Sequence, residues 1–164
     1  MARDYSEVRA RIRAGCAGEE DAVALMATVA CELYHAFDDF DWVGFYRVTA
    51  PEVLKIGPYQ GGHGCLVIPF GRGVCGAAAR EMRTQVVPDV DAFPGHIACA
   101  SSTRSEIVVP VVDAAGRLIG VLDVDSDTPA AFDEADAAAL EAMLREIFAT
   151  PGREGLIAGE PRPQ

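Results

Sequence analysis

Hydrophobic residues recur at helical spacing in three stretches of the chain. The first runs from Asp4 to Ala14 and ends where Gly15 and Gly18 interrupt the pattern. The second is EEDAVALMATVACELYHAF, and the third is TPAAFDEADAAALEAMLREIF. Apolar positions three and four residues apart give a helix one buried face, so each stretch predicts an amphipathic helix. In the third stretch Asp133 precedes the periodic residues and is a typical N-cap.

The segments between these helices alternate apolar and polar positions or are rich in β-branched residues. Trp42 to Val48 and the following VLKIGPYQGG predict an antiparallel hairpin, and SEIVVPVVDAAGRLIGVLDVDS predicts a second one around an Asp-Ala-Ala-Gly turn. Between them, CLVIPFGRGVCGAAAREM passes from a short strand into an alanine-rich helix, and TQVVPDV predicts another short strand. The fold class predicted is therefore α+β, with a central antiparallel β-sheet flanked by helices.

A chain of 164 residues is long enough to bury one hydrophobic core, and two domains would be cramped. We predict an N-terminal helical extension over residues 1–18 and a single domain over residues 19–149. Proline and glycine are frequent in residues 150–164, which predicts a flexible C-terminal tail.

The net charge is −11, from 14 basic and 25 acidic residues. Such a chain lacks the general positive field that attracts phosphate backbones or anionic lipid, so we expect no nucleic acid and no membrane as a partner. The charged N-terminal sequence MARDYSEVRARIRAG has no apolar core of signal-peptide length, and no later stretch is long and apolar enough to span a bilayer. We therefore expect a cytoplasmic protein.

The five cysteines divide into two groups by their neighbours. In a reducing compartment an odd number of cysteines is not a disulfide framework, so each is a core residue, a metal ligand or a redox-active thiol. Cys16, in a glycine-flanked turn, and Cys31, among apolar helix residues, are predicted to be core residues. Cys65, Cys75 and Cys99 lie beside glycine or small polar residues at element edges, which predicts exposed thiols with a chemical role.

Two kinds of chemistry fit the second group. Zinc would need His63 and His96 to complete four ligands, and no CxxC-type pair is present, so zinc is a minor alternative and we predict no metal. Redox chemistry needs only a nucleophilic thiolate and a second thiol that resolves its sulfenic acid as a disulfide. His96 lies three residues before Cys99 and could assist its ionisation, but a lone histidine is usually structural, and we do not include it among the catalytic residues.

Three acidic residues share one face of the predicted sheet. Asp123 and Asp125 alternate with apolar residues in GVLDVDSD, and Glu106 opens the partner strand seven residues after Cys99. A solvated sheet edge is one interpretation. Their position at the end of an apolar strand, next to the loop of Cys99, instead favours a pocket suited to a cationic amine. Crowded carboxyl groups can raise one another's pKa until one stays protonated near neutral pH.

Trp42 and Tyr46 are four residues apart and so lie on one face of a strand. Aromatic residues of this kind are core residues by default. Where an edge reaches the pocket, they would form an apolar wall for a small group such as a methyl bound to sulfur.

Five motifs together resemble the free methionine-(R)-sulfoxide reductases, which are stand-alone GAF-domain enzymes: DWVGFY, LKIGPYQG, CLVIPFGRGVCGAAA, VPDVDAFPGHIACASSTRSEIVVPV and GVLDVDSD. The resemblance implies a GAF-like catalytic domain over residues 19–149, frequent homodimers and no bound cofactor. The activity it implies is the thiol-dependent reduction of free L-methionine-(R)-sulfoxide to L-methionine, with thioredoxin as the reductant.

The resemblance also implies a role for each candidate residue. Cys99 matches the nucleophile of the family, Cys65 its usual resolving cysteine, and Cys75 a third thiol of variable role. The residues that match substrate-binding positions are the acids Glu106, Asp123 and Asp125 and the aromatics Trp42 and Tyr46. The Cys99 thiolate would attack the sulfoxide sulfur while a carboxylic acid helps to protonate the oxygen, and Cys65 would then close a disulfide.

A second hypothesis is a GAF-type module that binds a small ligand or senses redox state without turnover. Such modules usually stand beside an output domain in a longer chain, and 164 residues leave no room for one, which favours the enzyme.

Overall fold

A computed structural model describes residues 3–153 as four α-helices around one six-stranded antiparallel sheet. The strands are ordered β3-β2-β1-β6-β5-β4 across the sheet. The helices are α1 (Ser6–Gly15), α2 (Ala22–Ala36), α3 (Gly73–Glu81) and α4 (Glu134–Phe148), and the strands are β1 (Trp42–Ala50), β2 (Val53–Gln60), β3 (Val67–Pro69), β4 (Gln85–Val87), β5 (Ser105–Val112) and β6 (Leu118–Ser126). The predicted α+β class and antiparallel sheet are confirmed.

The helix ends follow from side chains that replace the missing backbone partners. Asp21 caps α2 by accepting a hydrogen bond from the backbone N–H of Ala24. Asp133, the predicted N-cap of α4, accepts from the backbone N–H groups of Ala135 and Asp136, and the Asp136 side chain accepts from the backbone of Asp133 in return. This reciprocal arrangement fixes the start of α4 at Glu134, so the residues of TPAAF lie before the helix.

The sheet has two covered faces because its strands alternate. In β1, Val43 and Phe45 point into a core formed with α1, α2 and α4. Trp42 and Tyr46 point to the opposite face, where they pack with residues of α3 such as Val74. Strand periodicity therefore assigns each face its own set of side chains.

Contacts near the C-terminus test part of the predicted tail, which was expected to begin at residue 150. The side chain of Arg153 donates hydrogen bonds to the backbone carbonyls of Ile147 and Cys16, which joins the end of α4 to the end of α1. The rest of the predicted tail, residues 154–164, lies outside the described residues. The division at residue 18 stays a prediction. No helix within residues 3–153 is both long and apolar enough to cross a membrane.

Candidate active site

Cys65 and Cys99 form a disulfide. Their Cα atoms are 5.4 Å apart, and their sequence separation is 34. Cys65 lies in the loop between β2 and β3, and Cys99 lies in the long loop between β4 and β5, so the bond ties two loops together. Both residues are half-buried.

The three predicted acids come together on the sheet face that α3 covers. In the antiparallel register of β5 and β6, Glu106 stands opposite Asp125 and Val108 stands opposite Asp123. Asp123 and Glu106 are buried, and Asp125 is nearly so. Side chains two residues apart on β6 share a face, which brings all three carboxyl groups to one cavity together with Cys99.

Burial controls the protonation of these acids. Loss of solvation raises the pKa of Glu106, Asp123 and Asp125, and the negative charge of the neighbouring carboxyl groups raises each pKa further. A carboxyl group in such surroundings favours its neutral form and can donate a proton. The alternative of a solvated acidic edge is therefore wrong for this cluster.

Cys75 is buried rather than exposed, which corrects the prediction for this thiol. It lies in the first turn of α3, and its Sγ donates a hydrogen bond to Asp123 Oδ2 over 3.3 Å. Burial raises the pKa of the Cys75 thiol, and the charge of Asp123 raises it further. The physical reason for the burial is the flat, small-residue surface of α3. A Cβ on Gly76 would lie 2.7 Å from the Phe70 carbonyl oxygen.

Trp42 and Tyr46 form the aromatic wall of the same cavity. Their ring centroids are 6.0 Å apart in a stacked arrangement, and Tyr59 stacks on the other side of Trp42 at 5.4 Å. The indole Nε1 donates to the carbonyl of Gly62 over 3.0 Å, which fixes the ring against the loop that carries Cys65. The wall needs Gly44, because a Cβ there would come within 2.3 Å of the indole.

The cavity also contains residues that the sequence did not single out as catalytic. His96 Nε2 lies 3.6 Å from a carboxyl oxygen of Glu106, and burial lowers the pKa of His96. His63 and Ile97 line the cavity too. Gly73 has a φ of +68°, and a Cβ there would meet Ile97 at 3.2 Å, so the loop of Cys99 packs directly on the start of α3. In the sequence, the only sign that His96 belongs to this cavity was its position three residues before Cys99.

In the disulfide-bonded state the cavity measures about 30 Å³. This is room for one or two water molecules and too little for a free amino acid.

The two remaining cysteines differ from each other. Cys16 is buried, as predicted. The prediction that Cys31 is a core residue is wrong, because Cys31 is exposed and its Sγ lies 3.9 Å from His35 Nδ1. The buried stripe of α2 contains Met26, Val29, Ala30 and Leu33, and position 31 lies off it.

The metal alternative has only partial geometric support. Cys75, Glu106 and Asp123 offer ligand atoms within 4.8 Å of one another. The predicted zinc set is not assembled, since the sulfur atoms of Cys65 and Cys99 are bonded to each other.

The chain is similar to proteins of known family. The GAF domain family matches residues 21–148. The free methionine-R-sulfoxide reductase of Saccharomyces cerevisiae is 41% identical over 136 residues, which cover 79% of this chain and 76% of the yeast protein. The enzyme of the same name from Escherichia coli is 39% identical over 149 residues, which cover 89% of each chain.

A solved structure extends these similarities to three dimensions. The free methionine-R-sulfoxide reductase of Neisseria meningitidis, in complex with its substrate, superposes with a TM-score of 0.83 at 49% sequence identity. The match covers 90% of this chain and 90% of that one.

Proposed function

Since the chain belongs to the GAF domain family and, within it, to the free methionine-R-sulfoxide reductases, we propose that it reduces free L-methionine-(R)-sulfoxide to L-methionine. One observation carries the proposal: the Cys65–Cys99 disulfide lies at a cavity that three carboxyl groups also line. Such a disulfide is the product that a thiol-dependent sulfoxide reduction leaves on an enzyme.

The reaction takes place at Cys99. Its thiolate attacks the sulfoxide sulfur and forms a bond to it, while a carboxylic acid donates a proton to the sulfoxide oxygen. The hydroxyl group then passes to Cys99 Sγ as the S–O bond of the substrate and the new S–S bond both break. Methionine leaves, reduced by two electrons, and Cys99 holds the oxygen as a sulfenic acid. The Cys65 thiolate then attacks Cys99 Sγ, a water molecule leaves, and the disulfide forms.

The proton comes from the cluster of Glu106, Asp123 and Asp125. Their raised pKa values favour a neutral acid among them near pH 7, and general acid catalysis of this kind contributes about 10²- to 10⁴-fold to a rate. The remaining negative charge of the cluster binds the ammonium group of the free amino acid. Trp42 and Tyr46 enclose the methyl group on sulfur.

The start of α3 favours the thiolate of Cys99. Carboxyl groups close to a thiol oppose its ionisation, whereas the N-terminus of a helix carries partial positive charge. Gly73 and Val74, the first residues of α3, line the cavity together with Cys99. In the oxidised state Cys75 acts as a hydrogen-bond donor to Asp123.

The cycle closes when thioredoxin reduces the Cys65–Cys99 disulfide, and we expect this in the cytoplasm, with a homodimer as the oligomeric state. A bound cofactor is not needed, because both electrons come from the two thiols of the chain.

The test is a coupled assay with NADPH, thioredoxin reductase and thioredoxin. Free methionine-(R)-sulfoxide should support NADPH oxidation, while the S diastereomer should not, as the family resemblance implies. A peptide-bound sulfoxide should not either, because a peptide bond removes the ammonium group that the acidic cluster binds. Cys99→Ser should abolish turnover, and Cys31→Ser, an exposed cysteine away from the cavity, should leave it unchanged.

The assay also separates the enzyme from a GAF-type binding module. Calorimetric binding of the sulfoxide to the reduced protein without NADPH oxidation would support the module and contradict the enzyme. Undiminished turnover of Cys99→Ser would contradict the assignment of the nucleophile.

A further inference from the structure

Cys75, Glu106 and Asp123 bring three possible metal ligands together in the cavity. The thiol sulfur and one carboxyl oxygen of each acid all lie within 4.8 Å of one another. Three different elements hold these groups, since Cys75 is in the first turn of α3, Glu106 is on β5 and Asp123 is on β6. The packing of α3 against β5 and β6 therefore sets the distances among them.

The separations are close to those that a tetrahedral metal ion requires. Zinc binds a thiolate sulfur at about 2.3 Å and a carboxylate oxygen at about 2.0–2.2 Å, so two neighbouring ligand atoms lie about 3.4–3.6 Å apart. Cys75 Sγ and Asp123 Oδ2 are already 3.3 Å apart. The other separations are at most 4.8 Å, so a small rotation of one carboxyl group is enough to bring the third ligand to the ion.

One carboxyl oxygen of this group has a free acceptor position. Asp123 is 6% exposed, and its Oδ1 is buried without a hydrogen bond of standard geometry to any group in residues 3–153. A buried carboxyl oxygen without a partner costs free energy, which a bound cation recovers. Asp123 lines the cavity, so an ion that enters the cavity can reach this carboxyl group.

The ligand types select the kind of ion. One sulfur and two carboxylate oxygens suit Zn²⁺, whereas Mg²⁺ and Ca²⁺ prefer six or more oxygen ligands. Three protein ligands leave the fourth position of a tetrahedral zinc ion to water. The net charge of −11 also raises the concentration of cations near the protein.

We propose that Cys75, Glu106 and Asp123 form an inhibitory binding site for Zn²⁺ or a similar soft divalent cation. The ion is a regulator at this site and not a cofactor of the reaction. The site uses neither Cys65 nor Cys99, so it is present while these two sulfur atoms are bonded to each other.

Binding exchanges protons for the ion. The Cys75 thiol and any protonated carboxyl group lose their protons to water, and the three groups then bind the ion through one sulfur and two oxygen atoms. No electron is transferred, so a chelator that removes the ion restores the original state.

The bound ion blocks the proposed reaction. Glu106 and Asp123 belong to the cluster that donates the proton and binds the ammonium group of the substrate, and a carboxylate that binds zinc does neither. Zinc and free sulfoxide should therefore compete for the cavity. The inhibition rests on the proposed function, whereas the binding of the ion does not.

The binding experiment uses the purified disulfide protein and Co²⁺, which occupies zinc sites and gives a sulfur-to-cobalt charge-transfer band in the near ultraviolet. The sulfur atoms of Cys65 and Cys99 are bonded to each other in this form, so the band reports a different cysteine. One equivalent of Co²⁺ should produce the band, and added Zn²⁺ should remove it.

Variants assign the three ligands. Cys75→Ser should abolish the band. Asp123→Asn and Glu106→Gln should each weaken Co²⁺ binding at least about tenfold, because loss of even an outer partner of a metal ligand costs that much. These two variants retain the thiol, so they test the site independently if Cys75→Ser does not fold.

Two matched controls carry the same chemical changes elsewhere. Cys31→Ser removes an exposed thiol whose Sγ lies 3.9 Å from His35 Nδ1, a pair that could bind cobalt at the surface of α2. Asp113→Asn alters a carboxyl group that is equally buried but lies outside the cavity. Both should keep the wild-type band and the wild-type affinity for Co²⁺.

Inhibition is measured in a single turnover of the reduced protein, because zinc also binds the thiols of a recycling system. Free methionine-(R)-sulfoxide is added, the reaction is stopped with acid and a chelator, and the remaining thiols are counted. Zn²⁺ should slow the loss of thiols, and more sulfoxide should overcome it. Cys75→Ser should need at least about tenfold more Zn²⁺ for the same inhibition. Mg²⁺ should have no effect.

The site is contradicted if the wild type gives no band, if the band persists in Cys75→Ser, or if Cys31→Ser removes it. Cobalt binding without inhibition by zinc would contradict the inhibitory role. Since Co²⁺ binding is measured without sulfoxide, failure of the proposed function would appear separately, as a protein that binds the ion and reduces no sulfoxide.

Discussion

Helices α1, α2 and α4 cover apolar side chains on one face of the sheet, whereas on the other face α3 covers aromatic rings, a thiol and three carboxyl groups. The same strands serve both faces. In β6, Leu122 and Val124 enter the apolar core, and Asp123 and Asp125 enter the cavity. The first face lowers the free energy of the fold by burying hydrocarbon. The second face buries carboxyl groups, and burying them costs folding free energy. Their presence there is therefore better explained by a role in the reaction than by a contribution to stability.

The strongest test of this difference is Asp123→Asn. Loss of a buried acid from the cavity should lower kcat/KM by about 10²- to 10⁴-fold, because an amide cannot donate the catalytic proton. The free energy of unfolding should not fall, since a buried carboxyl group is replaced by a neutral group of the same shape. Steady-state kinetics and urea denaturation measure the two quantities on the same protein.

Asp113 supplies the matched control, because it is equally buried but lies outside the cavity. Its carboxyl group accepts hydrogen bonds from two backbone N–H groups and from the Arg117 guanidinium. Asp113→Asn should cost about 1–3 kcal/mol of stability and leave kcat/KM unchanged. If Asp113→Asn and Asp123→Asn had the same profile, the distinction between the two faces would be lost.

Leu33→Ala tests the apolar face. Leu33 lies in the core at 0% exposure, and its truncation should lower the free energy of unfolding by about 2–5 kcal/mol. Turnover per folded molecule should stay at the wild-type value, because the cavity lies across the sheet. Val23→Ala, at an exposed position of the same helix, should change neither quantity by a measurable amount.

Much of the two-faced sheet could be predicted from local patterns. The alternation in GVLDVDSD placed two acids on one face, and the tight turn between β5 and β6 set the register that brings Glu106 opposite Asp125. The roles proposed for these acids stay predictions. The exposure of Cys31 could also have been predicted from helical periodicity, because the apolar stripe of α2 passes through Ala30 and Leu33 and excludes position 31.

Other features depend on contacts that no local pattern encodes. The disulfide joins loops 34 residues apart, and only the likeness to a family suggested its pairing. Glycines around Cys75 suggested exposure, yet they serve close packing, since α3 lies so near the Phe70 backbone that Gly76 admits no side chain. A glycine allows mobility or close approach, and the sequence does not distinguish the two.

The pH dependence of the free energy of unfolding should show how much the three buried carboxyl groups destabilise the fold. The pKa values of Glu106, Asp123 and Asp125 are raised in the folded state, mainly by burial. Above about pH 4 the unfolded chain releases protons that the folded chain keeps. The free energy of unfolding therefore falls as pH rises toward the raised values, by at most about 1.4 kcal/mol per pH unit for each group.

Glu106→Gln isolates this contribution. Urea denaturation of the variant between pH 4 and pH 7 should show a shallower fall than the wild type. The comparison also cancels the opposite contribution of Glu146, whose pKa is lowered by hydrogen bonds to Arg13 and Arg9. Identical slopes for the two proteins would mean that Glu106 ionises in the folded state as it does in the unfolded chain.

Of the variants in the cavity, Cys75→Ser should lower kcat/KM least. It tests whether Cys75 takes part in the disulfide chemistry of the cavity. Burial and the charge of Asp123 keep Cys75 as a neutral thiol, which is a poor nucleophile but a hydrogen-bond donor. Serine retains the donor, so thioredoxin-supported kcat/KM should fall by less than about threefold, the equivalent of one modest hydrogen bond. Cys65→Ser should stop the same assay, because it removes the resolving thiol. If Cys75→Ser were as inactive as Cys65→Ser, Cys75 would relay the disulfide. The catalytic cycle would then need three cysteines, not two.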